Sequence, residues 1–274
     1  MREKIFEVFS NSKELLFYKI MKYPIPTNYE FFLFKKSKEK KEKKETQFSR
    51  DTKCELMDQY IDYINKFRNI YKNIPFIKEI YLCNSITFNA LHPNSDIDIF
   101  IVTKKNSLRR RFFSVLIFFL LGIKRKNKEK KFCLSFYTTE DNRNLYPICI
   151  EKNDIYLSYW LSHLVPLYIE DPDFKNIYEE NKWINSTIPN HPQKHIININ
   201  NQLKKTILKQ IIEKILGIQK ILEQIIKFIR LPIVITKSKR PKNKSIIINN
   251  KMLKFHRDIR LKIHLKYQTL SKKK

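Results

Sequence analysis

Two aspartates one residue apart, Asp96 and Asp98, stand in an otherwise apolar run, DIDIFIVT (96–103). Side chains alternate along a strand, so both carboxylates project from one face while Ile97 and Ile99 point to the other. Asp is a poor strand residue, and two like charges on neighbouring positions of one face repel. Buried without a cation, one of them is driven to take up a proton. A hard divalent ion removes that cost, because Mg2+ prefers one or two carboxylates plus substrate phosphate oxygens. The same spacing also suits an exposed sheet edge carrying two solvated charges.

The residues upstream separate these readings. Asn84-Ser85 directly follows the apolar run IKEIYLC (77–83), and Asp96 comes eleven residues after Ser85. A serine that opens a helical turn at a strand end offers its hydroxyl and the adjacent backbone N–H groups as an anion cradle. Lys104 and Lys105, at the end of the aspartate strand, are expected to reach the same phosphates. A phosphate cradle beside a carboxylate pair is the layout of nucleotidyl transfer, in which a cation polarises the α-phosphate while a hydroxyl attacks in line.

The elements that must position these residues form an alternation. CELMDQYIDYINKFRNIYKN (54–73) has apolar side chains at spacings of three and four and predicts an amphipathic helix. Strands are expected at 77–83, 96–103 and 131–138, with a helix at 108–122 that begins with Arg109, Arg110 and Arg111 and stops at Gly122. NDIYLSYWLSHLVPLY (153–168) predicts a helix started by Asn153 or Asp154 and broken before Pro166, and a short helix follows around 173–181. Gln202 to Arg230 carries a heptad-like seam of Leu208, Ile211, Ile215, Ile218, Leu222, Ile225 and Ile229, expected to pack on the body of the protein. A short strand at 245–249 and a basic helix from Met252 close the chain. The order strand, connection, strand, helix, strand inside a helix-rich chain predicts an α+β fold, a mixed sheet with flanking helices.

Composition narrows the classes. Only two glycines, Gly122 and Gly217, occur in 274 residues, which excludes glycine-rich phosphate loops. Lys and Arg total 55 against 27 Asp and Glu, a net charge of +28, which draws anionic partners such as nucleotide or nucleic acid. Cys54, Cys83, Cys133 and Cys149 include no CxxC pair and read as reduced thiols of a cytoplasmic protein. The longest apolar run, 112–123, is 12 residues, against the roughly 20 needed to span a bilayer, so no membrane insertion is expected. His256, Asp258 and Arg260 in FHRDIR suit a structural hydrogen-bonded cluster or a nucleic-acid contact, and Trp160 and Trp183 are expected to be packing residues.

NSITFNALHPNSDIDIFIV resembles the signature of the DNA polymerase β-like nucleotidyltransferase superfamily, a small-residue-plus-serine turn followed about ten residues later by Asp-x-Asp. Glycine normally precedes the serine there; Asn84 is the non-glycine residue type best able to take its positive φ. CNSITFNA, KFCLSFYTTED, DIYLSYWLSHLVPLY, ENKWINSTIPN and MLKFHRDIR are similar to bacterial nucleotidyltransferase-domain proteins, and LLFYKIMKYPIPTNYEFF resembles their winged-helix-like N-terminal segment. The resemblance implies three regions: a helical N-terminal segment with a basic linker (1–50), a nucleotidyltransferase-like domain (51–170) and a mainly helical C-terminal region (171–274). It implies NTP as substrate, Mg2+ held by Asp96 and Asp98, the triphosphate held by Asn84, Ser85 and Lys104, and RNA, a protein or a small molecule as hydroxyl acceptor. Active members carry a third carboxylate on a following strand. Ser135 stands at the position expected for it, and Glu140 and Asp141 are the nearest acids. The alternative is a degenerate fold that binds nucleotide or nucleic acid, or a partner protein, without transfer.

Overall fold

The computed structural model describes residues 17, 20–21, 51–88, 90–105, 117, 130–152, 154–171, 177–188, 206–218, 247–254 and 260–272. Nearly all of the N-terminal segment, all but Ile117 of the expected helix at 108–122, including its three arginines, the seam beyond Ile218, and His256 and Asp258 lie outside the described residues.

Among the described residues, six strands form one mixed sheet in the order β4-β1-β2-β3-β6-β5. Its centre is β1 (Ile77–Leu82), β2 (Ile97–Thr103) and β3 (Phe132–Thr139), the three strands expected from the sequence. β1 and β2 pair antiparallel, and β2 and β3 pair parallel. Ile80, Leu82, Ile97, Ile99 and Phe132 are buried on one face, packed with Tyr60 and Ile64 of α1 (Asp51–Asn65). Tyr81, Phe100, Val102 and Phe136 are buried on the other, with Tyr159 and Trp160 of α3 (Ile155–Ser162). Period-two alternation thus fills both faces. The helix expected at 54–73 divides into α1 and a single turn, α2 (Arg68–Tyr71).

The helix expected to break before Pro166 stops at Ser162. Asp154 caps its start, accepting from the Leu157 N–H at 2.9 Å. Val165–Ile169 then forms β4 rather than more helix. Pro166 has no N–H for a ladder, and β4 lies at the sheet edge, where that loss is tolerated. The short helix that follows is α4 (Ile177–Glu180).

Two further expectations change. Met252–Lys254 is a strand, β6, paired with β5 (Ile247–Ile248) in a hairpin. The Asn249 side chain accepts from the Lys251 and Met252 N–H groups at 2.9 and 2.7 Å and closes its turn. The basic helix therefore begins only at Arg260, as α6 (Arg260–Lys272). Arg260 donates to the Ile148 carbonyl and pairs with Asp154 at 3.2 Å, so its role here is structural.

α5 (Ile207–Ile218) docks with the opposite face from the one expected. Leu208, Ile211 and Ile215 are 56, 51 and 54 % exposed, whereas Lys209 is fully buried and Glu213 is 8 % exposed. The surface it meets is polar: the Lys209 ammonium donates to the Ile77 carbonyl and the Tyr168 hydroxyl, and Glu213 accepts the Phe76 N–H at 2.7 Å. Strand-end groups that lack a ladder partner need hydrogen bonds, and this helix supplies them.

Candidate functional site

β1 ends at Leu82, and Cys83 continues extended before the backbone turns sharply at Asn84, φ 63°. That left-handed conformation is sterically costly for residues with a Cβ, and asparagine tolerates it best. A short helical turn, Asn84–Ile86, follows. The Asn84 carbonyl accepts from the Thr87 and Phe88 N–H groups at 3.0 and 2.9 Å, so the turn's own bonds begin there and the Ser85 and Ile86 N–H groups lie at its open start. The Asn84 side chain accepts from the Trp160 indole N–H at 3.0 Å.

The turn is joined to the aspartate strand through the main chain. The Cys83 N–H donates to the Asp98 carbonyl at 3.1 Å, which places the serine turn and Asp98 at the same end of the sheet. Ile97 and Ile99 are buried against α1, so Asp98, half-buried, points to the opposite face. Asp96, one alternation earlier and half-exposed, pairs with Lys131 at 3.3 Å. The loop between turn and strand is held by the buried Tyr60, whose hydroxyl lies 2.9 Å from the Pro93 and Ser95 carbonyls.

Asn84, Ser85, Asp96 and Asp98 are therefore brought to one rim, and Lys104 is not. It lies six residues beyond Asp98 on the same strand path, roughly 20 Å away at the strand rise, and its ammonium pairs with Glu213 at 2.5 Å. The spacing that made Lys104 look close ignored strand direction: the end of β2 beside the serine turn is its beginning. Glu140 and Asp141 are at the far end too, since Thr139 pairs with Thr103. Glu140 accepts the Lys105 N–H, and Asp141 lies 3.7 Å from Lys251.

Nor is Ser135 the register partner of Asp98. The β2–β3 register slips between Ile99↔Leu134 and Phe100↔Phe136, so Ser135 is the extra residue of a bulge. The residue opposite Asp98 is Cys133. Parallel register is not encoded in local sequence pattern, so this pairing was not legible; nor was the Lys131 partner of Asp96. The Cys83 thiol is pushed well up by burial, then by the charges of Asp98 and Cys133, and stays protonated. Among the described residues no three His, Cys, Asp or Glu side chains form a ready-made metal cluster. The carboxylate oxygens of Asp96 and Asp98 nevertheless fit a hard cation whose remaining ligands are phosphate oxygens and water.

A mixed sheet with a serine turn and an Asp-x-Asp strand opening on one rim defines a nucleotidyltransferase fold. Residues 64–185 match the family model described as nucleotidyltransferase domain, in keeping with the resemblance to the polymerase β-like superfamily. No curated protein and no solved structure matches the chain. Among the described residues no helix is long and apolar enough to cross a membrane.

Proposed function

We propose that this domain moves a nucleoside monophosphate from an NTP to a hydroxyl acceptor in the cytoplasm, with Asp96 and Asp98 as the Mg2+ ligands and the Asn84–Ser85 turn as the triphosphate seat. The observation that carries the reading is the Cys83 N–H bond to the Asp98 carbonyl, which fixes turn and carboxylate strand to each other. Bound there, Mg2+ supplies Lewis-acid polarisation of the α-phosphate and neutralises developing charge. Ser85 and its turn orient the triphosphate by hydrogen bonds. Asn84, gripped by Trp160, keeps that turn in its left-handed shape. The acceptor oxygen bonds to the α-phosphorus, the bond to the β-phosphate's bridging oxygen breaks, and pyrophosphate leaves. The acceptor proton passes to solvent. RNA, a protein or a small molecule is the acceptor, and the net charge of +28 favours an anionic one.

A second reading, a module that binds nucleotide without transfer, is favoured by one observation: Cys133, not a carboxylate, stands opposite Asp98. Incubation with Mg2+, each α-labelled NTP, and RNA or protein acceptors separates the two. Transfer predicts labelled acceptor that disappears in Asp96→Asn and Asp98→Asn. Mg2+-dependent NTP binding without label supports the module, and no NTP binding sinks both.

A further inference from the structure

β6 brings a lysine onto the face of the sheet that carries Asp98. We infer that Lys254 is a substrate-binding residue whose ammonium holds the α-phosphate of the NTP from the β6 side, across the sheet from the Asn84–Ser85 turn; this rests on the nucleotidyltransferase site proposed above. Lys254 lies outside residues 64–185, so the matched domain alone would lack it.

Register and packing place it. One row across the sheet runs Tyr81, Phe100, Phe136, Lys254 and Ile247, each paired with the next. Tyr81, Phe100 and Phe136 are buried on the α3 face, and Ile247 packs against that cluster. Directly paired residues share a face, so Lys254 projects there too. Met252, two residues earlier on β6, is buried on this face, while Leu253 between them is buried on the other. Lys254 is thus the charged member of a row otherwise aromatic or aliphatic, and it is half-buried.

The next row toward the turn holds Cys83, Asp98 and Cys133. Asp98 stands two strands across and two residues along from Lys254, so their Cα atoms are about 12 Å apart. A lysine side chain extends roughly 6 Å and keeps its stem on apolar surface while its ammonium seeks polar groups. Met252, Phe136 and Ile247 close three directions with apolar side chains. The direction left among the described residues leads to Asp98 and Cys133, both half-buried. A phosphate seated at the Asp96–Asp98 pair fits the gap between that ammonium and the carboxylates. The ammonium keeps its proton and donates to a non-bridging oxygen of the α-phosphate, where negative charge must be offset during in-line attack. The turn lies on the β1 side of Asp98 and Lys254 on the β6 side, so the turn holds the β- and γ-phosphates and the lysine the α-phosphate.

The test uses the full chain with ATP, CTP, GTP and UTP in turn, each with Mg2+. Lys254→Met is expected to weaken binding of the preferred NTP by about tenfold or more, the scale of a hydrogen bond to a charged group. Lys254→Arg, which keeps the charge, is expected to recover most of that loss. Lys251→Met is the control: Lys251 is exposed on the same hairpin, 3.7 Å from Asp141 at the far end of the sheet, and its loss should leave NTP affinity unchanged. At saturating NTP, the phosphorus NMR resonance of the bound α-phosphate is expected to move in Lys254→Met, a signature that a merely structural lysine would not alter. Far-ultraviolet circular dichroism establishes that each variant is folded. A wild-type affinity in Lys254→Met, or an unmoved α-phosphate resonance, overturns the inference. If Lys254→Met binds like the wild type while Ser85→Ala or Asp98→Asn loses NTP, the site stands and only the lysine's role falls. If the wild type binds no NTP, both fall.

Discussion

The Trp160 indole N–H reaches across from α3 to the Asn84 side-chain carbonyl at 3.0 Å, bracing a residue whose φ is 63°. Helix and turn therefore hold each other. Asn84→Gly loses this hydrogen bond but adopts the left-handed turn freely; Asn84→Ala loses both. The alanine variant is expected to be about 1–2 kcal/mol less stable than the glycine variant in urea unfolding, and to bind NTP more weakly. Equal stabilities would show that the turn is not the strained element.

Lys104 provides a contrast with Asp98 on the same strand. Lys104→Met breaks the ion pair with Glu213 at the end of β2 remote from the turn. Its expected effect is a stability loss of about 1–3 kcal/mol, with NTP affinity unchanged within twofold. Denaturant titration and equilibrium binding on the same samples distinguish the two effects. A large fall in affinity at unchanged stability would return Lys104 to the phosphate site.

The buried pair of Glu79 and Arg143 links β1 to the segment after β3. The Arg143 Nε donates to Glu79 at 2.7 Å, and the Tyr81 hydroxyl donates to the other Glu79 oxygen at 2.7 Å. Arg143→Met leaves a buried carboxylate without its cation and is expected to cost about 3–5 kcal/mol. Glu79→Gln with Arg143→Met together should recover part of that loss, measurable as a double-mutant cycle. Strict additivity would remove the pair as the cause.

Sequence pattern revealed β1, β2 and β3 because alternation and β-branched runs are local signals. It also revealed the chemistry of Asn84, which the turn's sterics require. What it missed depends on partners far along the chain. The Asp98–Cys133 pairing depends on parallel register, and the bulge at Ser135 displaces by one each later pairing of β3 with β2. β4 was hidden by helical periodicity and by Pro166, whose meaning changes at a sheet edge. α5 misleads most: its apolar seam argued for packing, but the strand ends it meets present the Ile77 carbonyl and Phe76 N–H, which select Lys209 and Glu213.

That inverted docking carries its own pair of predictions. Ile211 is 51 % exposed, so Ile211→Gln should change stability by no more than about 0.5 kcal/mol. Lys209 is buried against Glu170, at 3.1 Å, with Tyr168, Glu213 and Lys104 nearby. Burial drives its ammonium down to about 8 despite the raising effect of Glu170 and Glu213. Burial opposes ionisation of Glu170 too, but Lys209 and Lys78 outweigh it and hold that carboxyl below its usual value. Tyr168 is raised by burial and by the two glutamates, so it stays protonated throughout the window. Between pH 8 and the ordinary lysine value of 10.5, the unfolded chain binds a proton at Lys209 that the folded chain has released. Stability from this group therefore rises with pH across that window and is level on either side. Compared with Lys209→Met, the wild type should gain up to about 3 kcal/mol between those limits. Urea unfolding of both proteins at half-unit pH steps measures the difference, and a flat difference would mean that Lys209 keeps an ordinary ammonium in the folded protein.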